Sequence, residues 1–234
     1  MTDTEKERNG IGVQFLGLNI VLAANELNLS IFKPVWMCQY GILKPEEISE
    51  IAFITPAAIQ IPNEDFHLTI LPNRLQLGLP TPKRIENSKL IDRIIGGILK
   101  ALPHTPFAAM GINIDILVHP KNPTEFKDWN NQKFASPIAK LVCLDEGSPR
   151  FGSYFSIFVN DARLKVDVKP IRVTEDAPTP DHPIDPKFEY MKFNFNYHID
   201  LDPENPVVQA FSQLNKAMHY LDHAESVIEK LIGE

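Results

Sequence analysis

Cysteine is nearly missing from this chain: Cys38 and Cys143 are the whole complement. Two cysteines close at most one bridge, so a secreted disulfide framework is excluded. Both stand among apolar neighbours, which marks them as packing residues rather than nucleophiles. Long apolar runs are missing too. None approaches the roughly 20 residues that a membrane span needs. The opening residues MTDTEKERNG lack the apolar core of a signal peptide, and a reducing cytoplasm is the expected location. A basic excess is also absent: 23 Lys and Arg stand against 30 Asp and Glu, a formal net charge of −7. Proteins that gain affinity by neutralising phosphates carry the opposite balance, so nucleic acid is not an expected partner. Nor does the chain contain a Walker loop, G-x-G-x-x-G, G-x-S-x-G, HExxH or paired CxxC. No cofactor is expected.

What is present is an ordinary globular balance, 44% apolar and 23% charged over 234 residues, enough to bury a core. Period-two alternation recurs along the chain. Asn19 to Ala24 reads as a buried strand, and Phe53 to Ile61 as a strand with Pro56 at an edge or bulge. Phe66, Leu68 and Ile70, then Leu75, Leu77 and Leu79, alternate on either side of Pro72-Asn73 and predict a β-hairpin. Ala109 to His119 places Ile112, Ile114 and Ile116 on one face and Asn113, Asp115 and Leu117 on the other. Ile138 to Leu144 is a further expected strand. Phe151 to Val159 and Arg163 to Val168 form a second hairpin around Asn160-Asp161. In Met191 to Leu201, Phe193, Phe195, Tyr197 and Ile199 oppose Asn194, Asn196, His198 and Asp200.

Helical spacing appears in three places. Ser30 to Gly41 reads as a short helix with Pro34 in its first turns and Gly41 as its stop. Ser88 to Leu102 is amphipathic, with Gly96-Gly97 as a weak point or a place of close approach. The last helix is expected to start at Asp202-Pro203-Glu204 and run to about Ile232, packing through Val207, Phe211, Leu214, Met218, Leu221, Ile228 and Leu231. Residues 120–137 read as a connection with one helical turn. The stretch 174–187, rich in proline and acid, reads as an extended surface loop.

The two hairpins align when Arg74-Leu75 is matched to Arg163-Leu164. The later strands align as INIDILVHPKNP against FNYHIDLDPENP, both ending in Pro-x-Asn-Pro. Either duplication produces this match, or the alternation common to all hairpins and the Pro and Asn favoured at strand exits do. The expected fold class is α+β: two related antiparallel hairpin-plus-strand halves, 1–134 and 135–234, with packing helices and a long C-terminal helix. The halves form either two domains or one compact unit.

Three constellations bear on chemistry. His219 and His223 share a helix face at zinc-binding spacing, but Tyr220 replaces the glutamate of a metalloprotease, no third ligand is near in sequence, and both imidazoles point roughly opposite the packing stripe, so they are expected to face solvent. Asp161, Asp167 and Lys169 resemble the acid-and-lysine set of a Mg²⁺ nuclease, and equally the polar face of a strand. His198 and Asp200 lie on one strand face as a base and its orienter, or simply on a hydrated sheet face.

Phe66 to Leu79, Gly111 to Asp115 and the terminal helix are similar to the pattern of sporadically distributed prokaryotic proteins of unknown function. That resemblance implies an early strand and helix, a hairpin, a helix, a Gly-Ile-Asn strand and a closing long helix. It also implies mobile or defence-associated loci as context, and it brings no catalytic residues. The expected function is non-enzymatic binding or assembly within a protein complex, with a protein partner or self-association. The alternative is a metal-dependent nuclease or hydrolase using Asp161, Asp167, Lys169, His198 and Asp200.

Overall fold

A computed structural model describes residues 5–48, 51–80, 83–137, 149–172, 185 and 187–233. The strand expected at Ile138 to Leu144, with Cys143, and most of the 174–187 stretch lie outside the described residues.

The alternating segments form one antiparallel sheet. Strands β1 (Glu5–Arg8) and β2 (Ile11–Ala24) are joined by Asn9-Gly10, both at positive φ, 51° and 74°. This is the two-residue turn that Asn-Gly favours. Strand β2 begins well before Asn19, and its apolar parity switches partway. Ile11 and Phe15 are buried, then Leu18, Ile20 and Leu22. Its register slips between Phe15 and Gly17, so a bulge at Leu16 absorbs one residue and keeps Ile11, Phe15, Leu18, Ile20 and Leu22 on the core face.

The single strand expected over Phe53 to Ile61 is two, β3 (Phe53–Ile54) and β4 (Ile59–Pro62). Thr55 turns the chain around Pro56: its N–H donates to the Ala58 carbonyl at 2.9 Å and its hydroxyl accepts from the Ala58 N–H at 3.0 Å. The hairpins form as expected, β5 (His67–Leu71) with β6 (Arg74–Leu79), and β8 (Ser153–Val159) with β9 (Ala162–Arg172). Two long strands, β7 (Phe107–Pro120) and β10 (Glu189–Asp200), fill the middle. The order is β3-β4-β5-β6-β2-β7-β10-β9-β8, with β1 beside β2.

Helices α1 (Pro34–Gln39), α2 (Arg84–Ile91), α3 (Gly97–Ala101), α4 (Phe126–Phe134), α5 (Pro206–Leu214) and α6 (Ala217–Gly233) share one core with the apolar sheet face. Helices α2 and α3 run together through a π turn at Asp92–Gly96. A Cβ on Gly97 would stand 3.0 Å from Ile42, which explains the glycine there. Among the described residues no helix is long and apolar enough to cross a membrane. The sheet is continuous across the 134/135 boundary, because β10 pairs with β7 from Met191↔Val118 to Asp200↔Ala109.

Two expectations are corrected. The terminal helix starts at Pro206, not at Pro203, and it breaks at Asn215-Lys216. Asp202 is occupied in a turn: its carboxylate accepts from the Glu204 N–H at 2.9 Å. Val207, Leu214, Leu221 and Ile228 are buried as expected, but the buried stripe is shifted to one side of them. Ala210, Ala217, Tyr220 and Ala224 are buried, while Phe211, Met218 and Leu231 are partly covered. Three alanines let the helices approach the sheet closely, and the large Tyr220 fills the space between them.

The second correction concerns the repeat. Phe66, Leu68 and Ile70 are buried, yet Phe155 and Ile157 are exposed. Strand β6 neighbours β2, whereas β9 neighbours β10 directly. The two hairpins therefore occupy different places in the sheet order, and internal duplication is not shown.

Candidate binding surfaces on the open sheet face and its end strand

The face of the sheet away from the helices carries the polar side of most strands, except at one end, where Leu117 and Tyr190 are buried with Leu16, Ile171 and Phe188. Register aligns its side chains in rows: His67, Gly78, Asn19, Asn113, Asn196 and Lys165 lie side by side across β5, β6, β2, β7, β10 and β9. Asn196 donates to Asn113. In the next row Asn194 donates to Asp115 at 2.6 Å, and Lys192 reaches the same carboxylate at 2.9 Å. These cross-strand bonds satisfy one another, as a stable polar ladder requires.

One place in the row is not satisfied. The Oδ1 of Asn19 is buried without a hydrogen-bond partner. Gly17 and Gly78 bring no side chains, so the sheet dips into a hollow of about 480 Å³ whose rim includes Asn113, Asp115, Asn194 and Leu79. The lining is mostly apolar, with Leu16, Leu18, Leu79 and Pro80 beside the polar Asn19, His67, Asn113, Asp115 and Asn194.

The sequence-predicted site residues are scattered. Asp161 lies at the tip of the β8–β9 hairpin, where the Lys216 ammonium bonds it at 2.7 Å and holds its carboxyl below the usual range. Asp167 pairs with Lys169 at 2.5 Å along the solvent face of β9. Six residues of strand, about 20 Å, separate Asp161 from Asp167. His198 does meet Asp200, Nε2 to Oδ1 at 3.1 Å, but the Asp200 side chain is 93% exposed. In the sheet register His198 stands opposite Arg163 and Asn194 opposite Asp167, which puts about 13 Å between His198 and Asp167. The five residues do not converge, and none of them lines the hollow.

His219 and His223 are divided by their surroundings. His219 is exposed. His223 is half-buried, contrary to the solvent-facing position expected, and its Nδ1 stands 2.8 Å from the Tyr197 hydroxyl. Burial raises the Tyr197 pKa, with Tyr220 adding to it, so the phenol stays protonated and donates to the imidazole. Burial lowers the His223 pKa, with His219 and Lys230 contributing. Among the described residues no three His, Cys, Asp or Glu side chains gather to hold a metal ion. Cys38 is a free, half-buried thiol.

Sequence reasoning placed the end strand β8 but missed its exposure. In β8 both parities are apolar: Tyr154 and Phe158 on the open face are 65% and 80% exposed, Phe155 and Ile157 on the helix side 42% and 48%. The signal was in SYFSIFV itself. A strand with no charge and no polar parity cannot bury both faces at a sheet edge, because the helix layer covers only one and thins out there. Its entry is fixed firmly. Asn130, fully buried in α4, donates to the Phe151 carbonyl and accepts from the Phe151 N–H, both at 2.8 Å. Arg150 next to it grips Glu189 with Nε and Nη2 at 2.7 and 2.8 Å. A Cβ on Gly152 would come within 2.3 Å of the Val168 carbonyl, so only glycine lets the chain lie this close to β9. The exposed strand is thus rigidly mounted. Neither the protein-family models nor the curated proteins compared with this chain give a match.

Proposed function

We propose that this chain is a non-enzymatic binding or assembly protein that works in a protein complex through its sheet edge. The observation that carries the reading is β8, among the described residues a well-anchored terminal strand, without a single charge, that exposes Tyr154, Phe155, Ile157 and Phe158. Edge strands of this kind offer unpaired backbone groups to another chain. Proteins that work alone blunt them with lysine, proline or bulges, none of which interrupts Ser153–Val159. Exposed apolar surface rimmed by polar groups marks association sites in the same way. Among the described residues Asp161, Asp167, Lys169, His198 and Asp200 do not converge, and no three His, Cys, Asp or Glu side chains gather to hold a metal ion.

The test is purification of the full chain from its native host beside a Phe158→Lys variant, with the bound proteins identified. Phe158 is largely exposed, so the variant keeps its fold. The expected outcome is a defined complex or self-associated species that the variant loses. A monomer that purifies with nothing attached overturns the proposal.

A further inference from the structure

We infer that the partner of β8 is a second copy of this chain, paired antiparallel to it about a two-fold axis at Ser156. The inference rests on the assembly reading above and names the occupant of the edge.

The backbone permits this axis. A two-residue loop joins Val159 to Ala162, which makes them the hydrogen-bonded pair that closes the hairpin. Hydrogen-bonded and non-hydrogen-bonded pairs alternate along an antiparallel ladder. The N–H and C=O groups of Val159, Ile157, Phe155 and Ser153 therefore point at β9. Those of Phe158, Ser156 and Tyr154 point outward, where among the described residues no strand stands. With the axis at Ser156, each Ser156 faces its own copy and Tyr154 faces Phe158. All three pairs then match outward-pointing backbone groups with outward-pointing ones, as a hydrogen-bonded ladder requires.

The side chains are self-complementary about the same point. The run Tyr154-Phe155-Ser156-Ile157-Phe158 reads aromatic, apolar, small polar, apolar, aromatic from either end. A closed two-fold contact needs this property, since the same patch must fit itself. On the open face Tyr154 meets Phe158, an aromatic cross-strand pair on each side of the axis. On the helix side Phe155 meets Ile157, so four exposed apolar side chains close into one cluster. No like charges face each other within the strand. The nearest cations are Arg163, which donates to the Ser156 hydroxyl at 3.1 Å, and Lys165, opposite Ser156 in the register. The Lys165 backbone stands one strand further in, about 14 Å from its copy across the axis, whereas the Arg163 guanidinium, held on Ser156, lies near the axis and must swing out to solvent on pairing. The other sheet edge does not compete, because β3 is only two residues long.

Light scattering on the full chain, with oxidative cross-linking of a Ser156→Cys variant, tests this. Directly opposed hydrogen-bonded residues have Cα atoms about 5.5 Å apart, within the reach of a disulfide. The expected results are a dimer mass, a covalent dimer with Ser156→Cys above the parent background, and association weakened about 100-fold or more by Ser156→Lys. Ser156 is exposed, and circular dichroism reports whether each variant stays folded. A monomer mass up to about 100 μM overturns the inference, as does a dimer that Ser156→Lys leaves intact. If the chain is monomeric but loses a different bound protein on Phe158→Lys, the second copy is ruled out and the assembly reading stands. If it binds nothing at all, both fall.

Discussion

Asn130 shows how one amide can fix a functional edge. Its side chain plays the part of a neighbouring strand, giving Phe151 both a donor and an acceptor just before β8 begins. Alanine at this position leaves two backbone groups buried without partners, and each such group costs about 1–3 kcal/mol. Asn130→Ala is expected to destabilise the fold by about 2–3 kcal/mol in urea denaturation. A loss below about 0.5 kcal/mol would mean that water or a shifted loop takes over the role. The alternation of the sequence gives no hint of this residue, because its partner is a backbone 21 positions away.

At the scale of elements, the contact between α6 and β10 depends on a neutral histidine. Tyr197 donates to His223 where the helix crosses the strand, and the imidazole's pKa is lowered there, chiefly by burial. The folded protein then binds this proton less readily than the unfolded chain. The stabilising contribution is fully present above the unfolded value, about 6.5. It is lost as pH falls through that value toward the lowered folded one. Thermal melting from about pH 7.5 to about pH 5 should therefore show Tm falling on acidification. The His223→Gln variant, which cannot titrate, should show a shallower fall. Parallel curves for the two proteins would sink the assignment. Helical periodicity placed His219 and His223 together and away from the core. The structure separates them because Ala224 and Tyr220, rather than Met218, turn toward the sheet.

For the molecule as a whole, the question is whether residues 1–134 and 135–234 are separate units. Strands β7 and β10, one from each half, lie side by side at the centre of the sheet, and one core gathers side chains from both halves. Cutting the chain there exposes a central strand edge and half of the core on each piece. A single cooperative transition is expected in calorimetry, with calorimetric and van't Hoff enthalpies equal at concentrations where the chain does not self-associate. Two resolved transitions, or an independently folded 1–134 fragment, would show two domains instead.

Much of the architecture was legible because the rules behind it are local. Period-two runs identified β5, β6, β7, β9 and β10 with the right faces inward, since a strand's alternation is fixed by its own backbone. Gly41 stops α1 as read, at φ 66°, for a reason internal to that residue, although the helix begins at Pro34 and not at Ser30. Other local signals went unread: Asn9-Gly10 announced the β1–β2 turn, and the parity change from Phe15 to Leu18 announced the bulge. The remaining features were decided by tertiary structure alone. Strand order separated two hairpins that match in sequence, since neighbours in a sheet are chosen by long-range packing and not by alternation. That same packing put Asp161, Asp167 and His198 in different places although each was read correctly as polar and outward. It also left β8 at the end of the sheet, past the cover of the helices, where a run that reads as core in sequence becomes exposed surface.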